Sequence, residues 1–544
     1  MRRPALAALA LAATPLAAQS PARALDVLDY DLTLELPDAG RSIAMTALLT
    51  VRRAAPADTL WLDLRDLRVD EVLVGARRVA FARPENRIGI PLPRRAGPGA
   101  DTLRVTVRYG GEVRDGLIAN RDARGRWTYF GDNWPNRGSH WIASVDHPSD
   151  KATVSWSVGA PSTQTVVANG ALVERRPLGV AKDAPTRTLT RWRSSRPIPV
   201  YLMVVGVGPL VERPLGEAAC GLAEHARCVA QSVYVVPEQA GSLPRAFEAA
   251  ARIVEYFARL VGPFPYEKLS HVQSATRFGG MENASAIFYP SAAFERGTLD
   301  ESLIAHETAH QWFGDAVTER EWSHLWLSEG FATYFDQLWT EHSRGPDAAR
   351  ASRDALRQEV LRDRTSVPHR PVIDTVETNL MRLLNANSYQ KGGFVLHMLR
   401  REVGDSAFFA GLRDYYAAHR HETALTDDLQ AAVERRAGRD VRWFFDQWLR
   451  RPGHPELEVG WRWDAAQEGG RVVLDVRQSD RFGFWRVPLV VSIEADGRTV
   501  VHRLEVPAER AARLVVPTPL SARPARVVLD PDADLLAVLR LDAR

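Results

Sequence analysis

The sequence predicts a multidomain α+β protein in which a β-rich domain, a mainly helical domain and a small β-sandwich follow one another. Apolar residues alternate with polar ones from about residue 25 to 236, recur three and four positions apart in the middle, and alternate again near the C-terminus. These periods are typical of strands and of helices, respectively. We therefore expect domains at 19–236, 237–452 and 453–544.

The N-terminal domain is predicted from short alternating runs such as "DYDLTLELPDAG" and "DTLRVTVRYG", which Gly, Pro and Asp interrupt. The period changes at about Pro237, and "SLPRAFEAAARIVEYFARLVG" and "LWLSEGFATYFDQLWTEHS" show the apolar spacing of amphipathic helices. The helical pattern ends where Pro452, Gly453 and Pro455 interrupt it. Alternation then returns, and Asp496-Gly497 is a strong hairpin-turn signal.

Length and composition place the chain among globular proteins of several domains. It has 544 residues, of which 45% are hydrophobic and 25% charged. The formal net charge is only +3, and the 15 tryptophans are scattered rather than grouped with basic residues. We therefore expect no nucleic-acid partner.

The N-terminus has the features of a signal peptide. Arg2 and Arg3 precede an uncharged run from Ala5 to Ala18, and small residues follow. We expect a signal peptide at 1–18, with cleavage after Ala18 or after Ala24, and a periplasmic or secreted protein. A retained anchor is the alternative, but the run is short for a membrane span and no cysteine follows it to carry a lipid.

Two cysteines, Cys220 and Cys228, flank a short polar segment between two strand-like runs. In an oxidising compartment a local disulfide is favoured over two free thiols, although the sequence leaves both open. Two cysteines are too few for a cysteine-based zinc site.

A metal site is predicted by "HETAH" at 306–310. On a helix His306 and His310 lie one turn apart on the same face, so both imidazoles can reach one ion. A catalytic zinc needs a third protein ligand, and Glu329 follows after eighteen intervening residues on the next helical stretch. The alternative is a helix whose histidines are hydrogen-bonded in the core. Glu329 argues against it, because an unpaired carboxylate among the apolar residues of "WLSEGFA" would be costly.

Four motifs together resemble the aminopeptidase N family of gluzincin zinc peptidases, which also contains leukotriene hydrolase. They are "HETAHQWFGD" with "LWLSEGFATYF", "GGMENASAIFY", "SYQKGGFVLHML" and "HWIASVDHPSDKATVSW". The resemblance extends over most of the chain and implies a thermolysin-like catalytic domain. It also implies one Zn²⁺ per chain, held by His306, His310 and Glu329, with Glu307 as the general base.

The resemblance assigns further residues to the substrate. Glu282 would hold the free α-amino group of a peptide, helped by the surrounding motif residues Gly279, Gly280, Met281 and Asn283. Without the zinc motif, a Gly-Gly turn beside a strand would be the favoured interpretation of this segment.

Two more roles depend on the resemblance. Tyr389 would help to stabilise the tetrahedral oxyanion, although a single tyrosine on a helix is commonly a packing residue. Asn133 would assist in binding the terminal amine, in place of a glutamine that many relatives have. Gly280 and Asp315 stand where the family usually has Ala and Asn.

The resemblance implies a zinc aminopeptidase that acts on peptides with a free N-terminus. A zinc endopeptidase or an epoxide hydrolase would use the same metal, and a catalytically silent, peptide-binding paralogue is a rival of another class.

Overall fold

The computed structural model describes residues 24–94, 97, 101–178, 186–221, 228–466 and 469–543. The predicted signal peptide at 1–18 lies outside the described residues. None of the helices in the described ranges is long and apolar enough to cross a membrane.

The N-terminal part of the chain is all β apart from short 3₁₀ turns. Its strands, within the described residues, are β1 (Leu25–Glu35), β2 (Ser42–Arg53), β3 (Thr59–Asp63), β4 (Arg68–Val74), β5 (Arg77–Arg78), β6 (Arg87–Pro91), β7 (Asp101–Glu112), β8 (Leu117–Arg121), β9 (Trp127–Gly131), β10 (Lys151–Pro161), β11 (Thr165–Ala168), β12 (Ala171–Pro177), β13 (Arg187–Pro199) and β14 (Val205–Gly208).

One large sheet organises these strands in the order β12-β13-β10-β1-β2-β7-β4-β5, and a smaller one follows the order β11-β14-β9-β8. β1 pairs antiparallel with β2 and parallel with β10. Along β2 nearly every second side chain is buried, as period-two alternation predicts for a strand with one face in the core. Trp141 and Trp156 stack in that core with ring centroids 5.4 Å apart.

A third sheet joins the N-terminal part to the helical part. Its strands are β15 (Val211–Ala218), β16 (Val229–Val235), β17 (Lys268–Ser274) and β18 (Ala286–Pro290), paired in that order. The predicted boundary at 236/237 therefore divides a single sheet. Sequence periodicity marks where helices begin, but it does not show which sheet a strand joins.

The helices of the described residues follow this sheet. They are α1 (Ala250–Leu260), α2 (Ser291–Arg296), α3 (Glu301–His310), α4 (Trp326–Arg344), α5 (Pro346–Arg362), α6 (Gly392–Val403), α7 (Asp405–His419), α8 (Thr426–Ala437) and α9 (Arg442–Leu449), with a short parallel strand pair β19 (Thr318–Glu319) and β20 (Thr423–Ala424).

Helices α3 and α4 pack antiparallel in the centre of this part. Trp339, near the end of α4, donates its indole N–H to Glu301 at the start of α3 (3.4 Å). Phe313, just after α3, stacks on Phe331 of α4 with ring centroids 4.1 Å apart. Asp300 immediately precedes α3 and caps it, because its carboxylate accepts the Leu303 amide (2.9 Å).

The C-terminal part is a sandwich of two small sheets, ordered β25-β22-β21-β27 and β24-β23-β26. Their strands are β21 (Glu456–Ala466), β22 (Gly469–Gln478), β23 (Val487–Ala495), β24 (Arg498–Val506), β25 (Ala511–Val515), β26 (Arg526–Leu529) and β27 (Val538–Ala543). The predicted hairpin is present: Asp496 and Gly497 connect β23 and β24 with positive φ angles of 51° and 69°. The β, helical, β order is the predicted fold class.

Cys220 and Cys228 form a disulfide, with Cα atoms 5.5 Å apart. The bond lies between β15 and β16 and closes a local loop. Of the two alternatives that the sequence left open, the structure therefore has the disulfide.

Asn169 joins the N-terminal domain to the segment before β18. Its side-chain amide donates to the carbonyls of Leu202 and Ala284, both at 2.8 Å, and its oxygen accepts the Val204 amide at 2.7 Å. The next residue, Gly170, donates its amide to the Ser285 hydroxyl at 2.7 Å. The hydrogen bonds of one buried side chain thus fix the relative position of two parts of the chain.

We predict that Asn169→Leu lowers the free energy of unfolding by about 3 kcal/mol, because it leaves several buried backbone groups without partners. Urea unfolding followed by tryptophan fluorescence measures the loss. Asn120→Leu, at an exposed position, is the matched control. Equal unfolding midpoints for the two variants would contradict the role of Asn169.

Candidate metal centre

Helix α3 presents two imidazoles on one face. The Nε2 atoms of His306 and His310 lie 3.2 Å apart, as expected for residues one turn apart. His310 is almost completely buried, whereas His306 remains partly accessible from the cavity. The two ring nitrogens therefore point to a common position.

Helix α4 brings Glu329 to the same position. Its Oε2 lies 3.4 Å from His306 Nε2 and 3.3 Å from His310 Nε2. Metal–ligand distances of about 2.0 to 2.1 Å in a tetrahedral zinc site place ligand atoms about 3.3 to 3.4 Å apart. Glu329 Oε2 is also buried without a hydrogen-bond partner in the described structure. The three predicted ligands fit a zinc ion.

The orientation of the His310 ring is fixed by contacts to its Nδ1 atom, on the side away from Glu329. Its Nδ1 lies 3.2 Å from the Phe313 carbonyl and 3.0 Å from the Ser328 hydroxyl. A proton on Nδ1 that is donated to this carbonyl leaves the lone pair of Nε2 facing Glu329. Sequence reasoning missed Ser328, although it immediately precedes the predicted ligand Glu329.

Charge interactions within the triad act on Glu329. Burial alone would raise its pKa, but the charge of His310 and the proximity of both histidine rings outweigh burial and lower the pKa to about 2. Glu329 is therefore an ionised carboxylate, which is the form that binds metal.

Glu307 lies beside the triad and against the Gly-Gly segment. Burial raises its pKa well above the ordinary value, with the negative charges of Glu282 and Glu329 contributing in the same direction. A Cβ atom at position 280 would overlap Oε1 of Glu307, so the glycine allows the carboxylate to rest against the backbone. A carboxylate with a raised pKa is suited to accept a proton.

Glu282 lies next to Glu307 and His310, and Gln311 holds its backbone. The Gln311 amide donates to the Glu282 carbonyl (2.8 Å) and to Asp315 (2.8 Å), while its oxygen accepts the Ser285 amide (2.8 Å). Burial raises the pKa of Glu282 to about 7. Sequence reasoning missed Gln311, which directly follows His310.

Tyr389 reaches the triad from a π-helical turn at Asn387–Lys391. Its hydroxyl donates to Glu329 Oε1 at 2.8 Å, and its ring lies nearly parallel to that of His306, with centroids 6.1 Å apart. Burial raises the pKa of Tyr389, so it stays a protonated donor.

These groups line one cavity of about 380 Å³. Its walls are formed by Trp134, Phe278, Gly279, Gly280, Met281, Glu282, Asp300, Ser302, Leu303, His306, Glu307, His310, Glu329, Asp336, Leu384 and Tyr389. The structure thus brings together all the predicted metal and catalytic residues and most of the predicted substrate residues.

Two predicted substrate residues lie elsewhere. Asn133 is fully buried, and its amide donates to the carbonyls of Val200 and Met203 while its oxygen accepts the indole N–H of Trp141. The prediction that it binds the substrate amine is therefore wrong. Asn283 is also fully buried and is not part of the cavity wall.

Comparisons with known proteins match this site. Residues 245–448 match the model of the peptidase family M1 domain. "Probable aminopeptidase 2" of Sulfurisphaera tokodaii is 25% identical over 67% of this chain and 46% of its own length. "Aminopeptidase N" of Lactococcus lactis is 25% identical over 88% of this chain and 57% of its own. The chain spans about half the length of these relatives.

Solved structures of similar fold were also found. An M1 zinc metallopeptidase of Deinococcus radiodurans is 28% identical with a TM-score of 0.67, covering 78% of this chain and 93% of its own. Aminopeptidase A of Legionella pneumophila has a TM-score of 0.81 at 16% identity over 96% of this chain and 60% of its own, a likeness of fold.

Fold and site together define a class: a helical His-Glu-x-x-His metal-site domain that lies between two β domains. With these matches, residues 245–448 are assigned to the peptidase family M1 domain, and the chain resembles the family of aminopeptidase N over most of its length. The predicted resemblance and the predicted fold class are confirmed.

We predict that the purified chain binds one zinc ion and that Glu329→Ala weakens this binding severely, because two imidazoles alone are a poor site. Zinc content after dialysis against a competing chelator measures the effect. Glu321→Ala, a nearby half-exposed glutamate, is the control. Full retention of zinc by the Glu329 variant would exclude Glu329 as a ligand.

Proposed function

We propose that this protein is a zinc-dependent aminopeptidase that hydrolyses the first peptide bond of peptides. The observation that carries the proposal is the position of Glu282. A carboxylate oxygen of Glu282, one of Glu307 and a ring nitrogen of His310 all lie within 4.8 Å of one another. An anchor for a cation, a base and a metal ligand are therefore adjacent.

The zinc would be held by His306, His310 and Glu329, whose donor separations suit it. When bound, zinc supplies a Lewis acid that polarises the peptide carbonyl and makes a water molecule acidic near neutral pH. A structural neighbour supports this metal, since the Deinococcus radiodurans structure is of a zinc metallopeptidase.

Glu307 accepts the proton of the attacking water in this proposal. Its carboxylate faces the cavity between the triad and Gly280, and its burial makes it a stronger base than an exposed glutamate. After attack, the same carboxylic acid is placed to return the proton to the leaving amine.

Tyr389 stabilises the negative oxygen that develops on the attacked carbonyl. In the structure its proton is directed to Glu329 Oε1, so the hydroxyl must turn from this acceptor to a developing oxyanion. Its raised pKa keeps the proton available for donation.

Glu282 determines which bond is cut. A protonated α-amine pairs with the carboxylate, and the pair holds the first carbonyl at a fixed distance from the metal ligands. Glycines at 279 and 280 leave room for the substrate backbone. An endopeptidase would have no use for a buried anionic anchor beside the triad, and a silent paralogue would have no need of Glu307.

The location of the enzyme is part of the proposal. The signal-like features of residues 1–18 and the Cys220–Cys228 disulfide both support export to the periplasm or the medium. Peptides with free N-termini are the substrates.

We predict that Glu307→Gln retains its zinc and loses kcat by a factor of about 10² to 10⁴, because an amide cannot accept the proton from water. Hydrolysis of leucine p-nitroanilide, with metal content measured on the same sample, tests this. A zinc-replete Glu307→Gln protein with near-normal kcat would refute the general-base role.

We predict that Glu282→Gln lowers kcat/KM about 10- to 100-fold for a free peptide, since it removes a charge-assisted hydrogen bond to the amine. Acetylating the peptide N-terminus should have a similar effect on the unmodified enzyme. Applied together, the two changes should lower kcat/KM by much less than the product of the two separate reductions.

The control for this cycle is Glu321→Gln, which should keep the full preference for the free peptide. If the unmodified enzyme cleaves the acetylated peptide as fast as the free one, or cuts it internally, the aminopeptidase proposal fails and the endopeptidase alternative replaces it.

A further inference from the structure

The cavity continues beyond the metal ligands, along the groove between α3 and α4. The lining residues Asp300, Ser302 and Leu303 belong to the start of α3, and Asp336 belongs to α4. Because the helices are antiparallel, the start of α3 faces the middle of α4. These residues therefore form the end of the cavity that lies beyond His306, whereas Glu282 adjoins His310 at the opposite end.

Asp336 faces this end of the cavity as Glu329 faces the metal site. It follows Glu329 by seven residues, so it lies on the same face of α4 about two turns, or 10 Å, farther along. Ser302 donates a side-chain hydrogen bond to its carboxylate. Its other oxygen, Oδ1, is shielded from bulk solvent and has no hydrogen-bond partner among the described residues.

Burial raises the pKa of Asp336 to about 7, and the charge of Asp300 contributes in the same direction. The opposing effect of Arg344 is smaller. A half-satisfied buried carboxylate is costly unless it serves a partner. Asp300 has a structural role as the N-cap of α3, but Asp336 has no such role.

The cavity wall is rich in acidic side chains. The wall includes five carboxylates, and none of its side chains in the described structure belongs to lysine or arginine. A zinc ion and a substrate amine would compensate those near the triad and Glu282. Asp300, which is exposed, and Asp336 lie at the far end, where no basic side chain belongs to the wall and Arg344 acts on Asp336 less strongly than Asp300 does.

We propose that Asp300 and Asp336 form a subsite for the residue that follows the cleaved bond, and that this subsite selects a lysine or arginine side chain. The inference rests on the proposed function, because the position of Glu282 sets the direction in which the peptide lies. An amine held at Glu282 directs the rest of the peptide past the metal ligands toward Asp336.

The distances suit a long cationic side chain. An extended peptide advances about 3.3 to 3.6 Å per residue, so the second residue has its backbone only a short way past the metal ligands. Glu329 and Asp336 are spaced by roughly 10 Å along α4. After the advance of the peptide backbone is subtracted, the rest of this spacing is within the reach of a four-carbon lysine stem. A short side chain would leave Asp336 without a partner. An acidic side chain would be repelled by it.

The test compares two peptides that differ in the charge of one side chain: Leu-Lys-Gly-Gly and the same peptide with the lysine side chain acetylated, which also adds an acetyl group. We expect the unmodified enzyme to release leucine from the lysine peptide with about tenfold higher kcat/KM. Asp336→Asn should reduce this ratio to near one. Asp300→Asn should also reduce it while keeping the helix cap, because asparagine caps as well as aspartate.

Asp347→Asn is the control, since that side chain is 96% exposed and its variant should keep the tenfold ratio. Equal release of leucine from the two peptides by the unmodified enzyme would overturn the subsite while leaving the aminopeptidase intact. A lysine preference that survives in both folded variants would overturn it as well. No leucine from either peptide would refute the proposed function and, with it, the subsite.

Discussion

The antiparallel packing of α3 on α4 is the constraint on which the site depends. It places a carboxylate of one helix opposite two imidazoles of the other, with separations of 3.2 to 3.4 Å. The stacked pair Phe313 and Phe331 fixes the relative position of the helices behind the site. Gly330, next to Glu329, lets α6 approach α4, because a Cβ there would lie 2.9 Å from the backbone of Gly392. The three metal-ligand positions are thus built on a packed helix pair rather than on loops.

The second determinant of the site is the charge of its buried acidic groups. Acidic groups are concentrated around the site and are buried, so their charged forms need partners. Within the protein, His310 compensates Glu329, and the ammonium of Lys151 donates to the backbone carbonyl of Asp315 at 2.9 Å. Burial raises the pKa of Asp315 well above its ordinary value, although Lys151 and His310 act against the rise. An acidic cavity of this kind suits cationic ligands: a divalent metal, a terminal amine and a basic side chain.

Much of this arrangement could be predicted from the sequence. Helical spacing put His306 and His310 on one face, and an acidic residue in an apolar helix indicated Glu329, because local periodicity determines both. The role of Gln311 could not be predicted, since it depends on a backbone turn that only tertiary packing creates. Asn133 was misassigned because a motif alignment does not show that its neighbours use all its hydrogen-bonding groups. The sheet shared by β16 and β17 escaped prediction for a similar reason: pairing partners distant in sequence leave no periodic signal.

X-ray absorption at the zinc edge of the loaded protein tests the central claim most directly. Two imidazole nitrogens and carboxylate or water oxygens, at about 2.0 to 2.2 Å and without sulfur, are the first shell that this account predicts. A bound zinc whose spectrum lacks imidazole scattering, or contains sulfur at about 2.3 Å, would show that the α3–α4 pair is not the metal site.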